Sequence, residues 1–237
     1  MDRLVETLRS LLSLSLSPAQ LTAFQCYSDE LRAWNERVNL TAITDPAGIE
    51  MRHFADSLTC LLAIRPQPGM RVIDVGTGAG FPGLPLKIAY PALDVTLVEA
   101  TGKKVEFLRH IVTTLRLEGV RLVNERAEDI GQMPDHREHY DWAVARAVAG
   151  MPVLAEYLLP LCRVGGRALA QKGESAHAET VEAERAIHLL GGRLAQITPV
   201  ELPTVAETHY LVTLEKVAAT PPQYPRRPGM PAKKPLS

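Results

Sequence analysis

The segment Asp74-Val-Gly76-Thr-Gly78-Ala-Gly80-Phe-Pro-Gly83 constrains this chain more than any other. It follows a short, mostly apolar, β-branched run, Arg71-Val-Ile-Asp-Val, and leads into helix signals from Pro82 to Ala89. An apolar run of that length reads as a buried parallel strand. Glycines directly after such a strand let the backbone come close to a bound ligand. The next helix then turns its first amides toward that ligand. Strand, loop and helix together call for an open sheet with a pocket at the carboxyl ends of its strands.

The chain beyond residue 70 keeps that rhythm. Strand patterns occupy 94–99, 120–124, 140–145 and 167–171, with helix patterns over 103–117, 153–161 and 175–190. Strand and helix in alternation predict an α/β fold, with a mostly parallel sheet covered on both faces by right-handed crossovers. Two last strands, 193–200 and 209–217, can pair as a hairpin. Before residue 66 the reading is helical. Leu21, Phe24, Tyr27, Leu31, Trp34 and Val38 form one apolar stripe, and Ser17-Pro18 is a helix start. A further helix is expected from about Gly48 to Ile64, stopped by Pro66. The predicted organisation is a helical extension over 1–66, a ligand-binding core over 67–219 and a tail over 220–237.

Two glycine patterns overlap in the loop. Gly76, Gly78 and Gly80 give G-x-G-x-G, whereas Gly78, Gly80 and Gly83 give the dinucleotide form G-x-G-x-x-G. The dinucleotide form expects its first glycine directly after the strand, and Gly76 holds that place. The G-x-G-x-G reading suits S-adenosylmethionine (SAM), which has no pyrophosphate to cradle. Glu99 ends the second strand, where a carboxylate can accept from both ribose hydroxyls. Glu128 and Asp129 follow the third strand, where an adenine edge would lie. Gly83 alone is equally explained by close packing of helix on sheet. Tyr27 and Trp34 share the helical stripe and read as core. His136 and His139 have ligand-like spacing but no third ligand nearby, so no metal site is expected.

Charge decides what partner is possible. The total is −1, which argues against nucleic-acid binding by bulk positive charge. The distribution differs from the total. Residues 221–237 carry four cations, no acid and six prolines, so residues 1–220 hold 22 cations against 27 acids. The tail is expected to be an extended, basic, partly polyproline-II arm. Cys26, Cys60 and Cys162 are odd in number and widely spaced, which suits a reducing compartment. Asp2 and Glu6 do not suit a signal peptide, and the uncharged run from Leu11 to Ser28 is too polar for lipid. A cytoplasmic protein without a membrane span is the expectation.

The residues also resemble a family. Trp34-Asn35, Asn39-Leu-Thr41, Arg52-His53, Asp56-Ser57, the glycine loop, Gly102-Lys103-Lys104, Phe107-Leu108-Arg109, Arg126-Ala-Glu128, Ala145-Arg146-Ala147, Lys172-Gly173 and the tail from Tyr224 resemble the bacterial small-subunit ribosomal RNA guanine-N7 methyltransferases, formerly called glucose-inhibited division protein B. The resemblance runs over nearly the whole chain. It implies a class I SAM-dependent methyltransferase fold with a seven-stranded sheet and an N-terminal helical extension. It implies SAM contacts at Gly76, Gly78, Phe81, Glu99, Ala127, Glu128 and Arg146, with Arg146 positioning the cofactor or the guanine. Phe81 stands where many members carry Leu, and Glu99 where some carry Asp. The partner implied is small-subunit rRNA or the 30S subunit. Contacts to it are expected from Arg52, His53, Lys103, Lys104, Arg109, Lys172, Arg226, Arg227, Lys233 and Lys234. Guanine N7 carries no proton, so the reaction needs no general base. Three other readings stay open on the residues alone: a methyltransferase of another substrate, a non-catalytic nucleotide-binding module, and a nicotinamide enzyme. Oligomeric state is not legible; a monomer is the default.

Overall fold

The structure is a computed structural model and describes residues 1–236. Seven strands form one sheet: β1 (Arg71–Val75), β2 (Asp94–Val98), β3 (Val120–Val123), β4 (Tyr140–Arg146), β5 (Cys162–Lys172), β6 (Gly192–Val200) and β7 (His209–Lys216). Their order is β3-β2-β1-β4-β5-β7-β6. The pairs among β1 to β5 are parallel, and β7 runs antiparallel to both β5 and β6. The last two strands do pair, yet β7 inserts beside β5 and leaves β6 at the edge. β1 lies between β2 and β4, so the chain leaves it toward both sides and opens a crevice at the strands' carboxyl ends.

The helices are α1 (Asp2–Leu12), α2 (Pro18–Asn35), α3 (Pro46–Gly48), α4 (Asp56–Leu58), α5 (Gly83–Ala89), α6 (Gly102–Thr114), α7 (Ala127–Ile130), α8 (Met151–Leu158), α9 (Ala176–Glu182), α10 (Glu184–Leu189) and α11 (Met230–Lys233). α2 starts where Ser17 and Gln20 cap each other reciprocally. α8 starts earlier than the pattern suggests. Pro152 sits in its first turn, where a missing N–H costs nothing, and Pro160 closes it. The single helix expected over 175–190 divides at Ala183. The helix expected over 48–64 is composite: a π-helical stretch, Ile49–Ala55, separates α3 from α4, and a 3₁₀ turn, Thr59–Leu62, ends it. Such over-wide turns cluster at functional sites.

The N-terminal helices share the core of the sheet. Leu4, Leu8, Phe24, Tyr27 and Leu31 pack in one buried cluster with Leu84, Leu97 and Phe107. Aromatic rings link the layers: Phe24 lies 4.9 Å from Phe54, and Tyr27 stacks on Phe81 at 5.4 Å. The Tyr27 hydroxyl donates to the Ala79 carbonyl, inside the glycine loop. Tyr27 thus packs as core, and it also props that loop from below.

The tail differs from the sequence expectation. It is not a free arm. Arg137 donates to the carbonyls of Thr220, Pro221 and Tyr224, and Gln132 to those of Pro222 and Pro225. Arg226 closes on Glu156 of α8, and α11 packs on the same helix. The tail's own composition hides this, because its partners lie 70 or more residues upstream. No helix of the described residues is long and apolar enough to cross a membrane.

Candidate functional site

The site grows from the end of β1. Asp74 Oδ2 accepts from Thr77 Oγ1 at 2.6 Å and from Gly83 N at 2.8 Å, tying both ends of the glycine loop to one carboxylate. Burial pushes the Asp74 carboxyl up to about 6, against the pull of those two hydrogen bonds. Gly78 takes φ +60°, and a Cβ there would meet nothing within 4 Å, so its backbone faces open space. Gly83 plays the packing role instead. A Cβ there would lie 2.5 Å from Leu97 Cδ2.

Glu99, just past β2, is buried and joins the loop to the next strand end. Its Oε2 accepts from Gly78 N at 3.0 Å, and its Oε1 from Thr101 N at 2.8 Å. Each oxygen keeps a lone pair for a hydroxyl donor. A cleft of about 190 Å³ opens beside it, lined among others by Gly76, Glu99, Ala127, Glu128, Val148 and Tyr157. Open backbone at Gly78, a diol-accepting carboxylate and a partly apolar cleft fit an adenosine-bearing cofactor. Gly76, Gly78, Glu99, Ala127 and Glu128 are therefore brought together at adjacent strand ends. The Glu128 side chain has other partners, however. Its Oε1 accepts from Gly229 N at 2.8 Å and from the Tyr157 hydroxyl at 3.3 Å. Burial and the neighbouring Glu128 charge push the Tyr157 phenol up to about 12, so it stays a donor.

Arg146 ends β4 on the far side of β1. Its Nη1 donates to Asp56 Oδ2 at 2.8 Å and to the Arg52 carbonyl at 3.0 Å. Its guanidinium lies 5.0 Å over the Phe81 ring. His53 stacks on the same ring at 4.5 Å. The π-helical stretch delivers Arg52 and His53 here, and α4 delivers Asp56. Asp56 is 3% exposed, and its Oδ1 accepts from His209 Nδ1 at 2.9 Å. Burial works to raise the Asp56 carboxyl, but hydrogen bonds from His209 and Arg146 outweigh it and hold it below the ordinary value. The Asp56 hydrogen bond in turn raises His209. A second cleft of about 430 Å³ opens over this cluster, lined by His53, Asp56, Arg146, Lys172, Val205 and His209 among others.

Sequence reasoning singles out Arg146, and the resemblance includes Arg52, His53 and Asp56, but neither joins them into one cluster with His209. Asp56 carried a signal, an acid between Phe54 and Leu58 in an apolar helix; His209 carried none. Three residues expected to touch RNA are engaged within the protein. His53 is buried, and burial followed by the Arg146 charge pushes it down to about 4, so it is neutral at pH 7 and forms part of the cleft wall. Lys172 Nζ binds Glu179 at 2.7 Å and the Ala149 carbonyl at 2.9 Å. Arg226 is held by Glu156. Arg52, Lys103, Arg109, Arg227, Lys233 and Lys234 are exposed, and Lys104 is half-buried. His136 and His139 do not converge on a metal position: the first bonds the Tyr140 hydroxyl, the second the Arg137 carbonyl.

Comparison with known proteins bears on the family and the fold. The family model described as GidB, rRNA small subunit methyltransferase G, matches residues 20–206. A protein of Roseiflexus castenholzii called ribosomal RNA small subunit methyltransferase G is 55% identical, over 94% of each chain. One of the same name from a second Roseiflexus strain is 53% identical over 100% of each. Among solved structures, geranyl diphosphate methyltransferase with GPP and sinefungin is 15% identical at a TM-score of 0.58, covering 84% of this chain and 100% of that one. TrmN of Thermus thermophilus is 22% identical at 0.53, covering 68% of this chain and 48% of that one. Both share the fold of class I SAM-dependent methyltransferases, and the sequence matches go further: the chain belongs to the rRNA small subunit methyltransferase G family.

Proposed function

We propose that this protein methylates N7 of one guanine in small-subunit ribosomal RNA, acting as a cytoplasmic monomer. The observation that carries the reading is the state of the titratable groups around the cleft over Phe81. Both His53 nitrogens are engaged, one by Arg146 and one by Thr41, and both Asp56 oxygens by Arg146 and His209. Among the described residues lining that cleft, neither His53 nor Asp56 is left free to take a proton. Guanine N7 has a free lone pair and needs none removed, so positioning suffices. Bound SAM supplies a methyl group activated on a sulfonium. Gly76, Gly78, Phe81, Glu99, Ala127 and Glu128 hold that cofactor, Glu99 through its carboxylate. Arg146, fixed by Asp56 and by the Arg52 carbonyl, orients the reacting groups from the adjoining cleft. Tyr27 and Phe81 keep the loop rigid, which preserves alignment.

RNA contact falls to the exposed cations Arg52, Lys103, Arg109, Arg227, Lys233 and Lys234 and to the half-buried Lys104, whose charge acts locally over an acidic body. The division into helical extension (1–66), cofactor core (67–219) and tail (220–237) is kept as a functional one. Mass-spectrometric mapping of guanine methylation in rRNA, with and without the gene, tests the proposal. One small-subunit guanine should lose its N7 methyl group. An unchanged methylation map, with labelled methyl transferred to a metabolite instead, would overturn it.

A further inference from the structure

We propose that the C-terminal tail is a clasp that forms part of the cofactor site, with Arg226 as its positioning residue. The inference rests on the reading that SAM occupies the cleft beside Glu99. One wall of that cleft is α7, a single turn of four residues. A helix that short has no stability of its own, so its place is set by what it packs against. The C-terminal tail supplies several of those contacts. Glu128 Oε1 takes the Gly229 N–H at 2.8 Å. Gly131, which ends the turn, packs directly on Pro225: a Cβ there would lie 2.6 Å from Pro225 Cγ. The neighbouring Gln132 donates to the Pro225 carbonyl at 2.8 Å.

The anchor of this contact is Glu156, which is fully buried. Its carboxylate receives Arg226 Nε at 2.9 Å, Nη2 at 2.7 Å and the Arg226 backbone N–H at 2.7 Å. A buried carboxylate needs such a partner, and a planar guanidinium supplies it with two aligned donors. Tyr157, the next residue on α8, donates to the same Glu128 oxygen. Glu128 is thus held between the tail and α8, and Arg226 locks the two together. Without the clasp, α7 keeps its sequence but loses the contacts that fix Ala127 and Glu128 against the cleft.

Calorimetric titration of SAM into the full chain and its variants tests this, alongside hydrogen exchange of residues 127–133 in protein without cofactor. Arg226→Ala should weaken SAM binding about tenfold, the equivalent of one charge-assisted hydrogen bond. Exchange in 127–133 should speed up before any cofactor is added. Arg226→Lys should recover part of the affinity, because it restores charge but not the fork. Arg226→Ala also leaves Glu156 buried and unpaired, so a chain ending at Arg226 is the second variant: it keeps that pair and removes the Gly229 donor and α11. It too should bind SAM more weakly. Arg193→Ala, which breaks a surface pair with Glu215, is the control and should bind SAM as the wild type does. Wild-type affinity and exchange in both tail variants would overturn the clasp. Failure of the wild-type chain itself to bind SAM would instead overturn the reading of the cleft.

Discussion

Tyr27 and Arg226 stand near opposite ends of the chain; Tyr27 braces the glycine loop, and Arg226 braces α7 beside the Glu99 cleft. Tyr27 works through rings. It is fully buried, stacks on Phe81 and packs near Phe54 and Phe107. Arg226 works through three donor groups directed at one carboxylate. The aromatic brace belongs to the core that folds the protein, so it cannot open without much of that core opening too. The polar brace joins a surface segment to a helix and can open locally, at a free energy below that of global unfolding. The two ends therefore hold the site with different consequences: one couples it to stability, the other leaves it separately adjustable.

The comparison breaks first at Tyr27. Tyr27→Ala empties a ring-sized space in the shared core and should cost about 3–5 kcal/mol in urea unfolding. Cofactor affinity should fall with it, because the glycine loop loses its support. Tyr27→Phe removes only the bond to Ala79 and should cost about 1 kcal/mol. If Tyr27→Ala left stability intact and weakened only SAM binding, the N-terminal brace would be as separable as the tail, and the contrast would fail.

His53 sharpens the same side, since it stacks on the other edge of the Phe81 arrangement. Its unfolded value is near 6.5 and its folded value about 4. The unfolded chain therefore takes up a proton first. Stability that is complete above about pH 6.5 is lost as pH falls toward 4, by about 3 kcal/mol for this group. Asp74 acts in the opposite direction, because its folded carboxyl, near 6, binds a proton before the unfolded one does. The measurement is thus the difference between wild type and His53→Gln in urea unfolding from pH 7.5 to 4.5. That difference should shift with pH in the direction given. A pH-independent difference would mean that His53 is not held neutral.

Glu99 stands between the two braces, taking N–H groups from the glycine loop and from Thr101. Glu99→Ala should raise KM for SAM by one to two orders of magnitude, on the scale of about 1.5–3 kcal/mol for hydrogen bonds to a charged group. Unchanged KM with weakened RNA binding would move this carboxylate out of the cofactor site.

What was legible in the residues follows the range of the interactions. The strands, the glycine loop and Glu99 are set by runs of a few neighbouring residues, so pattern alone places them. Gly83 was ambiguous for a local reason: its role depends on Leu97, in the next strand. Arg146 was found by its place at a strand end, while its partner Asp56 lies 90 residues upstream and His209, bonded to the same carboxylate, 153 residues beyond Asp56. The tail departs from its local pattern for the same reason. Prolines and cations suggested an extended arm, and nothing near Arg226 announces a buried acid 70 residues away.

The smallest effect separates the tail's two faces. Arg226 points inward to Glu156, whereas Arg227, Lys233 and Lys234 are exposed. Deleting the whole tail would mix loss of the clasp with loss of charge. Changing Arg227, Lys233 and Lys234 together to Gln keeps Arg226 and Gly229 in place. Each phosphate contact contributes about 0.7–0.9 to the slope of log affinity against log salt, so three contacts should lower that slope by about 2. Affinity for rRNA should fall modestly at physiological salt, and SAM affinity should not move. An unchanged slope would show that these cations face solvent alone. A SAM affinity that fell with them would show that the outer charges, and not the inward arginine, connect the tail to the cofactor.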